Sequence, residues 1–498
     1  MEYVIVGDYS QIFIPSLDGF RASSARFKGL RLIHTHLNSE GLTEDDLTDL
    51  ALLRLDLVCA IEVEEDGLPG SAHTAHLIPE NPEGKFWAFL PSVRPADLDL
   101  DFTAFIAALE GEFRRNQRGR KIDAADRALL IRVETSPSGR GDKALDELRE
   151  LARSCGVEVF DTVVQSRPQL DPRYVMGKGK LADVVIRAMQ MDANLLVFDH
   201  ELSPAQVRSI ADFTEMKVID RTQIILDIFA QRAHSREGKI QVELAQLKYL
   251  LPRLATKHTA MSRLTGGIGA RGPGETKLEI NRRRIRDRIH ALERQTREVE
   301  KARGQRRVRR ERTGLPILSI VGYTNAGKST LLNALTQSRV FTEDRLFATL
   351  DPKSSRLRFP RDTEAIITDT VGFIRDLPPD LFAAFRATLD ELQEAHLLIH
   401  VVDISNPDFE DHMTAVETVL KDLDLQGKPS VLVFNKADRF PDKALLEGLA
   451  ERYRAIAISA LDEGSLPPLV ERMEEAVRGF PRSGYSPPPC DDDGEPGP

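Results

Sequence analysis

One short stretch limits what this chain can fold into more than any other. Residues 317–321 are an apolar run of strand length that leads directly into Gly322-Tyr-Thr-Asn-Ala-Gly327-Lys328-Ser329, and a helical pattern begins at Thr330. Strand, glycine-rich loop ending in Lys-Ser, and helix are the context that a phosphate-binding loop requires. The sequence therefore predicts an α/β domain over 315–480, with a mostly parallel sheet flanked by helices.

The residue types of this loop suit a nucleotide phosphate. Glycines allow successive backbone N–H groups to turn inward around an anion, and the following helix N-terminus adds positive potential. Lys328 is predicted to reach the β- and γ-phosphates, and the Ser329 hydroxyl to ligate Mg²⁺. The structural alternative is a simple glycine-rich turn, which the flanking strand and helix disfavour.

A second motif supplies groups for the γ-phosphate and its metal. An apolar strand at 365–368 delivers Asp369-Thr-Val-Gly372, in which Asp369 can hold Mg²⁺ through water and Gly372 lets a backbone N–H approach the γ-phosphate. Between the two motifs, Thr349 is the candidate for a second Mg²⁺ hydroxyl that binds only when γ-phosphate is present, as in a GTP switch. Thr342 is the alternative.

Phe373 stands where Ras-like enzymes place a glutamine that orients the attacking water. A phenylalanine cannot orient water, so we expect slow intrinsic hydrolysis. The alternative is that Phe373 is a packing residue, and the two roles are compatible.

A third motif selects the base. The strand at 430–434 is followed by Asn435-Lys-Ala-Asp438, and the strand at 456–458 by Ser459-Ala-Leu461. The Asp438 carboxylate can accept hydrogen bonds from guanine N1–H and its amino group, which adenine lacks. Lys436 can cover the base with its aliphatic stem. The sequence thus predicts a GTP site rather than an ATP site.

The predicted site residues form three sets. The GTP-binding set is Gly322, Tyr323, Thr324, Asn325, Ala326, Gly327, Lys328, Ser329, Thr330, Phe347, Ala348, Thr349, Leu350, Asp351, Asp369, Thr370, Val371, Gly372, Asn435, Lys436, Ala437, Asp438, Ser459, Ala460 and Leu461. The catalytic set is Lys328, Thr349 and Gly372, and the Mg²⁺ set is Ser329, Thr349 and, through water, Asp369. Asn325 is also a candidate K⁺ ligand, with a loop-bracing asparagine as the alternative.

The segments before the nucleotide domain differ in character. Residues 125–232 alternate strands and helices, as in a small α/β domain. Residues 233–312 predict two long charged helices around a glycine-rich segment, 266–275. The stretch 282–313 holds 14 Arg and Lys against 5 Asp and Glu, in a chain whose net charge is −10. Such a helix suits nucleic-acid phosphates, with a solvated helix face as the alternative. We expect Arg271, Arg282, Arg283, Arg284 and Arg286 to contact RNA.

The ends of the chain are predicted from composition and short runs. Residues 1–118 form an α+β extension with strands at 4–6, 12–14, 30–33 and 57–61, helices from Thr43 to Leu53 and over 102–113, and loops over 66–92. The proline-rich and acidic tail, 481–498, is expected to be disordered. Three scattered cysteines exclude a disulfide scaffold and suit a cytoplasmic protein. No apolar run in the sequence is long enough to span a membrane, and the first residues lack the pattern of a secretory leader, so we expect neither.

The extension holds one candidate metal site. His34-Thr-His36 ends a predicted strand, and Asp46 lies in the first turn of the next helix, which is sound zinc geometry. The pattern resembles a JAMM-type (RadC-like) metallopeptidase site. It departs from that pattern in the spacing to Asp46, in Leu37 after the second histidine, and in the upstream glutamate, which we do not find. Asp46 also suits a capping box with Thr43, so a degenerate domain without metal is the alternative.

The chain from about 125 to 480 resembles the HflX family of GTPases, and its last part resembles translation-factor-related GTPases in general. The resemblance rests on Gly177-Lys-Gly-Lys180, Phe198-Asp-His-Glu-Leu-Ser203, Asp220-Arg-Thr222, the 266–275 loop, the phosphate loop and Asp369-Thr-Val-Gly-Phe373. It implies GTP and Mg²⁺ binding, association with the large ribosomal subunit and its RNA, and ribosome splitting, rescue or biogenesis with hydrolysis stimulated by the ribosome. It also implies a cytoplasmic, partly ribosome-associated protein, which we expect to be monomeric. The alternative is a GTP-gated RNA-binding or remodelling scaffold with additional ATP binding near Gly177-Lys-Gly-Lys180.

Overall fold

Two compact units make up the computed structural model, residues 1–221 and 222–498. The structure describes residues 4–6, 29–37, 40–53, 55–78, 87–118, 126–135, 141–191, 193–214, 216–254, 277–311, 314–336, 346–347, 353–361, 363–375, 382 and 390–478. No helix in these ranges is both long enough and apolar enough to cross a bilayer.

The first unit opens with a mixed four-stranded sheet in the order β1-β2-β3-β4. Strands β1 and β2 are parallel, whereas β3 and β4 run antiparallel to their neighbours. The elements are β1 (Arg31–His36), α1 (Glu44–Leu52), β2 (Leu57–Val63), β3 (Pro69–Leu77), β4 (Trp87–Phe89) and α2 (Phe102–Arg118). Leu50 of α1 packs over Val58 and Ala75 on one sheet face, and Phe102 packs near Cys59 and Ala72 in a separate cluster.

Both helices and two of the four strands predicted in this region are confirmed, and two other predictions are wrong. Residues 4–6 lie in no strand and are exposed. The predicted loop over 66–92 contains β3 and β4. Proline and glycine at the start of β3 suggested a loop, but Ala72, Thr74 and Ala75 are buried and add a strand to the edge of β2. The strand predicted at 12–14 lies outside the described residues.

The second sheet of this unit is entirely parallel, in the order β6-β5-β7-β8. Its elements are β5 (Arg127–Glu134), α3 (Gly141–Ser154), β6 (Glu158–Ser166), α4 (Lys178–Gln190), β7 (Leu195–Phe198), α5 (Pro204–Phe213) and β8 (Lys217–Asp220). Helix α6 (Arg221–Arg232) follows β8 and, apart from Arg221, belongs to the second unit. The predicted α/β alternation is confirmed. Ile186 on α4 belongs to the same apolar cluster as Leu50 of α1, so these two helices pack together within the unit. The predicted domain boundaries stay predictions.

The second unit contains two long helices, α7 (Arg236–Arg253) and α8 (Lys277–Glu311). They pack through a narrow apolar seam that includes Leu244 and Leu292. Exposed ion pairs flank the seam: Arg288 donates two hydrogen bonds of 2.7 Å to Glu243. The glycine-rich segment between the helices, including Arg271, lies outside the described residues.

The nucleotide domain is a six-stranded sheet in the order β10-β11-β9-β12-β13-β14, parallel throughout except for β10. Its elements are β9 (Ile317–Gly322), α9 (Lys328–Thr336), β10 (Lys353–Arg358), β11 (Glu364–Asp369), β12 (Leu397–Asp403), α10 (Phe409–Asp422), β13 (Ser430–Asn435), α11 (Lys443–Tyr453), β14 (Ile456–Ala457) and α12 (Pro467–Arg478). After β9 the chain continues to β10 and β11 on one side of β9, and after β11 it crosses to β12 on the other side of β9. Ligands of open α/β sheets bind at such a reversal, beyond the carboxyl ends of the strands.

Candidate guanine-nucleotide site

The phosphate loop begins where β9 passes very close to its neighbour β12. A Cβ at Gly322 would lie 2.2 Å from the Val401 carbonyl oxygen, so only glycine fits there. Gly327 has φ of +90°, and a Cβ on it would lie 2.2 Å from Asn435 Nδ2. Asn325 has φ of 61°, a left-handed conformation that asparagine tolerates. Backbone geometry therefore fixes the residue types of this loop, and a bracing role for Asn325 agrees with it.

Lys328 begins α9, and its side chain folds back inside the loop. Its Nζ donates a 2.7 Å hydrogen bond to the Tyr323 carbonyl, and the residue is only 6% exposed. Burial lowers the pKa of Lys328 to about 8, although the nearby Asp369 carboxylate opposes that shift. An ammonium group taken out of water in this way gains strongly from an anionic partner.

Two of the three predicted Mg²⁺ ligands lie side by side. Ser329 Oγ, in the first turn of α9, donates a 2.6 Å hydrogen bond to Asp369 Oδ2 at the end of β11. A hydroxyl and a carboxylate are the hard oxygen donors that Mg²⁺ accepts, so this pair fits the ion. Thr349 and Thr342 lie outside the described residues, as do Ala348, Leu350 and Asp351.

The segment after β11 is pinned to the phosphate loop. A Cβ at Gly372 would lie 2.8 Å from Thr324 Cγ2 and 2.9 Å from Lys328 Nζ. Thr324 N–H donates to the Phe373 carbonyl at 2.8 Å, and Phe373 N–H donates to the Gly322 carbonyl at 3.1 Å. The Phe373 ring is buried. The packing interpretation of Phe373 is therefore supported by its surroundings.

Tyr323 is held by contacts that the sequence did not indicate. Its ring stacks on His412 of α10, with centroids 3.8 Å apart and planes 6° from parallel. Its hydroxyl accepts a 2.9 Å hydrogen bond from the Arg375 backbone N–H. Tyr323 thus joins the phosphate loop both to α10 and to the segment after Gly372.

The base-specificity loop is braced by Asn435 at the end of β13. Asn435 Nδ2 donates to the Ala326 carbonyl at 2.8 Å, and Oδ1 accepts from Ala460 N–H at 2.9 Å. The same buried amide therefore connects the phosphate loop to the 459–461 loop. Asp438 is exposed in a short 3₁₀ turn, Ala437–Arg439, as expected for a carboxylate that has to meet a ligand.

Lys436 has a partner that sequence reasoning missed. Its Nζ lies 2.7 Å from Asp403 Oδ2, at the end of the neighbouring strand β12. Asp403 Oδ1 in turn accepts hydrogen bonds from Ser405 N–H at 3.0 Å and Oγ at 2.6 Å. Because β12 and β13 are paired in parallel with Asp403 opposite Asn435, this ion pair holds the stem of Lys436 at the sheet edge.

Phe347 and Leu461, two residues of the predicted GTP-binding set, lie in very different surroundings. The Phe347 ring is buried edge-on against Phe229, 4.6 Å between centroids, which is a packing contact. Leu461 is 76% exposed.

His400, in β12, is a residue that the sequence did not indicate. Burial and the charge of Lys328 lower the pKa of His400 to about 4.

The basic helix presents three of its predicted arginines to solvent. Arg283, Arg284 and Arg286 are exposed on α8, and Arg282 is partly exposed. In Gly177-Lys-Gly-Lys180, Gly177 is the N-cap residue of α4, and its N–H donates to Gln165 Oε1 at 3.3 Å.

The three candidate metal ligands of the first unit are brought together. His34 Nε2 lies 3.0 Å from Asp46 Oδ1, and His36 Nε2 lies 3.5 Å from Asp46 Oδ2. The predicted capping box between Thr43 and Asp46 is also present. Burial alone would raise the pKa of Asp46, but hydrogen bonds from His34 and Thr43 outweigh it and lower that pKa to about 2.

A glycine-rich Lys-Ser loop and an Asn-Lys-Ala-Asp loop at one edge of a largely parallel sheet are the arrangement of a phosphate-loop GTPase, and the chain is a GTP-binding GTPase of that class. Family models agree with this. Residues 142–230 match a model described as GTP-binding GTPase N-terminal, residues 232–310 one described as GTP-binding GTPase middle region, and residues 317–436 one described as 50S ribosome-binding GTPase.

Individual relatives identify the GTPase family to which the chain belongs. It is 47% identical over 353 residues to GTPase HflX of Caldanaerobacter subterraneus subsp. tengcongensis, covering 71% of this chain and 81% of the relative. It is 42% identical over 364 residues to GTPase HflX of Escherichia coli K12, covering 72% and 84%. The chain belongs to the HflX GTPase family. A crystal structure of a GTP-binding protein from the archaeon Sulfolobus solfataricus in complex with GDP is 23% identical, covering 71% of this chain and 99% of that one, with a TM-score of 0.39.

Proposed function

We propose that this GTPase binds the large ribosomal subunit and acts in splitting, rescue or biogenesis of ribosomes, with hydrolysis stimulated by the ribosome. The observation that carries the proposal is a strongly basic helix, α8, that ends six residues before the first strand of the GTP-binding domain. The match of residues 317–436 to a family model described as 50S ribosome-binding GTPase supports it.

The basic helix suits an RNA backbone. Arg283, Arg284 and Arg286 are exposed within a single helical turn, so their guanidinium groups can reach neighbouring phosphates. Contacts of this kind release counterions, and binding should therefore weaken steeply as salt concentration rises.

The nucleotide site supplies the switch. When bound, Mg²⁺ neutralises charge between the β- and γ-phosphates. Ser329 would hold it directly and Asp369 through water. Lys328 would stabilise the phosphate charge, and Gly372 would let a backbone N–H approach the γ-phosphate. Thr349 is proposed as the ligand that joins only in the GTP state. K⁺ at Asn325 remains a further prediction.

Intrinsic hydrolysis is proposed to be slow. Phe373 follows Gly372, its ring is buried, and its backbone is bonded on both sides to the phosphate loop. A hydrocarbon ring can neither donate to nor accept from the attacking water. The group that orients this water then comes from another segment or from the ribosome.

Turnover of GTP measured with and without purified large subunits tests the proposal. We expect stimulation by the large subunit, and co-sedimentation with it in the presence of a non-hydrolysable GTP analogue. A variant with Arg283, Arg284 and Arg286 all changed to Ser should lose both effects and keep basal turnover. The matched control changes the exposed Arg452 and Arg472, on α11 and α12, to Ser. Unchanged turnover together with no co-sedimentation of the unmodified protein would overturn the ribosomal role.

A further inference from the structure

A compact set of metal-ligand side chains lies in the first unit, before the residues that match the GTPase family models. His34 and His36 are two residues apart on β1, so their side chains project from the same face of the sheet. Asp46 is the third residue of α1, the helix that packs on that face. All three ligand atoms lie within 4.8 Å of one another.

The spacing of these atoms suits a small cation. The Nε2 atoms of His34 and His36 are 2.9 Å apart, and their distances to the two Asp46 oxygens are 3.0 and 3.5 Å. Two ligands bound to tetrahedral zinc at 2.0–2.1 Å lie about 3.3 Å apart. The three observed separations fall on either side of that value, so only small side-chain shifts would be needed.

Surrounding hydrogen bonds orient the ligands. His36 Nδ1 lies 3.0 Å from the Gly41 carbonyl and 3.1 Å from the Glu40 carbonyl. Because a carbonyl only accepts, Nδ1 carries the hydrogen, and Nε2 of the neutral ring offers its lone pair to the cluster. A histidine that donates its other N–H to a carbonyl is the usual arrangement around bound metals.

Asp46 is fixed in the same manner. Its Oδ2 accepts hydrogen bonds from Thr43 N–H at 2.8 Å and Thr43 Oγ1 at 2.7 Å, which leaves Oδ1 directed at His34. His34 itself is only 8% exposed. A hydrogen on His34 Nε2 can bridge to His36 Nε2 or Asp46 Oδ1 when no metal is bound. With or without metal at Nε2, His34 Nδ1 is buried and has no hydrogen-bond partner among the described residues.

We propose that His34, His36 and Asp46 bind one divalent cation of the zinc class. Two imidazole nitrogens and one carboxylate favour zinc over Mg²⁺, which prefers oxygen ligands alone. With three protein ligands, the fourth position is open to water or to an oxygen of a bound molecule, as in zinc sites that are not purely structural. The site uses none of the residues assigned to the guanine-nucleotide site, and it does not depend on the proposed ribosomal role.

Metal content of the full-length protein tests this inference. The protein is purified without chelators, its zinc is measured by mass spectrometry, and its affinity is measured by competition with a chromophoric chelator in the absence of nucleotide. We expect one zinc ion per chain. Replacement by Co²⁺ should give the visible absorption of a four-coordinate site with nitrogen and oxygen ligands.

Variants separate this site from zinc bound elsewhere. His36→Ala and Asp46→Asn should each weaken zinc affinity at least tenfold and remove the visible Co²⁺ bands. The matched control is His76→Ala, a partly buried histidine on β3 of the same sheet that contacts Phe105 instead. Circular dichroism of each variant checks folding, and His36→Gln replaces His36→Ala if the latter unfolds. The proposal is overturned if the unmodified protein binds no zinc at equimolar metal, or if folded His36 variants retain full affinity.

Discussion

Asn435 donates a 2.8 Å hydrogen bond to the carbonyl of Ala326, a residue 109 positions earlier in the chain. The contact joins the base-specificity loop to the phosphate loop, and it is completed by the bond from Ala460 N–H to Asn435 Oδ1. All three groups are buried, so neither loop can shift without leaving a polar group unsatisfied. The two halves of the GTP site thus share one structural brace.

Asn435→Ala should weaken binding of GTP and GDP by at least tenfold. The change leaves the Ala326 carbonyl and the Ala460 N–H buried without their partner, at a cost of about 1–3 kcal/mol each. Equilibrium titration with a fluorescent guanine nucleotide measures the loss. Asn406→Ala is the matched control, because Asn406 Oδ1 accepts a 2.8 Å hydrogen bond from Asp408 N–H in a turn outside the two loops. Equal affinities in the two variants would contradict the bracing role.

Gly372→Ala should reduce GTP turnover at least tenfold. The new methyl group would lie 2.8 Å from Thr324 Cγ2 and 2.9 Å from Lys328 Nζ, so the loop or the lysine has to move away from the phosphates. Gly427→Ala, in the same unit, is the control, since a Cβ there has no atom within 4 Å. Single-turnover kinetics distinguish a slower chemical step from weaker binding. Wild-type turnover by Gly372→Ala would show that the loop tolerates the added volume.

The layout of this site could be predicted because each motif follows a buried apolar strand. Strands β9, β12 and β13 are apolar over most of their length, β11 is apolar over half of it, and parallel strands bring the loops after them to one edge. The loops that carry Lys328, Asp369 and Asn435 can therefore be located from the sequence without knowing which strands pair. The same reasoning located His34, His36 and Asp46 at a strand end and a helix start.

Contacts that depend on register or on stacking could not be predicted. β10, Lys-Ser-Ser-Arg-Leu-Arg, is mostly polar and buries only Leu357, because it is an edge strand with one face in solvent. The Asp403–Lys436 ion pair requires that β12 and β13 align with Asp403 opposite Asn435. The stacking of Tyr323 on His412 joins residues 89 positions apart, and no local pattern encodes such a distance.

Asp438→Asn should shift nucleotide preference from GTP toward xanthosine triphosphate. The amide removes an acceptor for guanine N1–H and the 2-amino group, whereas xanthine carries an oxygen that the new amide can donate to. Competition between the two nucleotides, read as a ratio of affinities, measures the shift. Asp442→Asn is the control, because Asp442 caps α11 through Leu445 N–H at 3.0 Å, and asparagine caps helices equally well. Retained GTP affinity and preference in Asp438→Asn would mean that another group reads the base.

Binding of GTP should take up a proton above pH 8, because Lys328 is the group that changes charge. Its pKa is about 8 in the nucleotide-free protein and 10.5 when exposed, so between these values the unfolded chain binds more protons than the folded one. The contribution of Lys328 to the stability of the nucleotide-free protein should therefore rise between pH 8 and pH 10.5, about the two pKa values, and should not change at lower pH. Phosphates beside Nζ favour the ammonium form and restore its proton.

Calorimetric titration of GTP at pH 8.5, in two buffers with different ionisation enthalpies, measures that proton directly. We expect uptake approaching one proton per nucleotide, and an affinity that declines as the pH is raised further. In Lys328→Arg the guanidinium stays charged at every pH used, so its binding should show no uptake from this position. Equal proton uptake by the wild-type protein and Lys328→Arg would assign the proton to another group. It would also mean that burial of Lys328 does not strengthen its binding to phosphate.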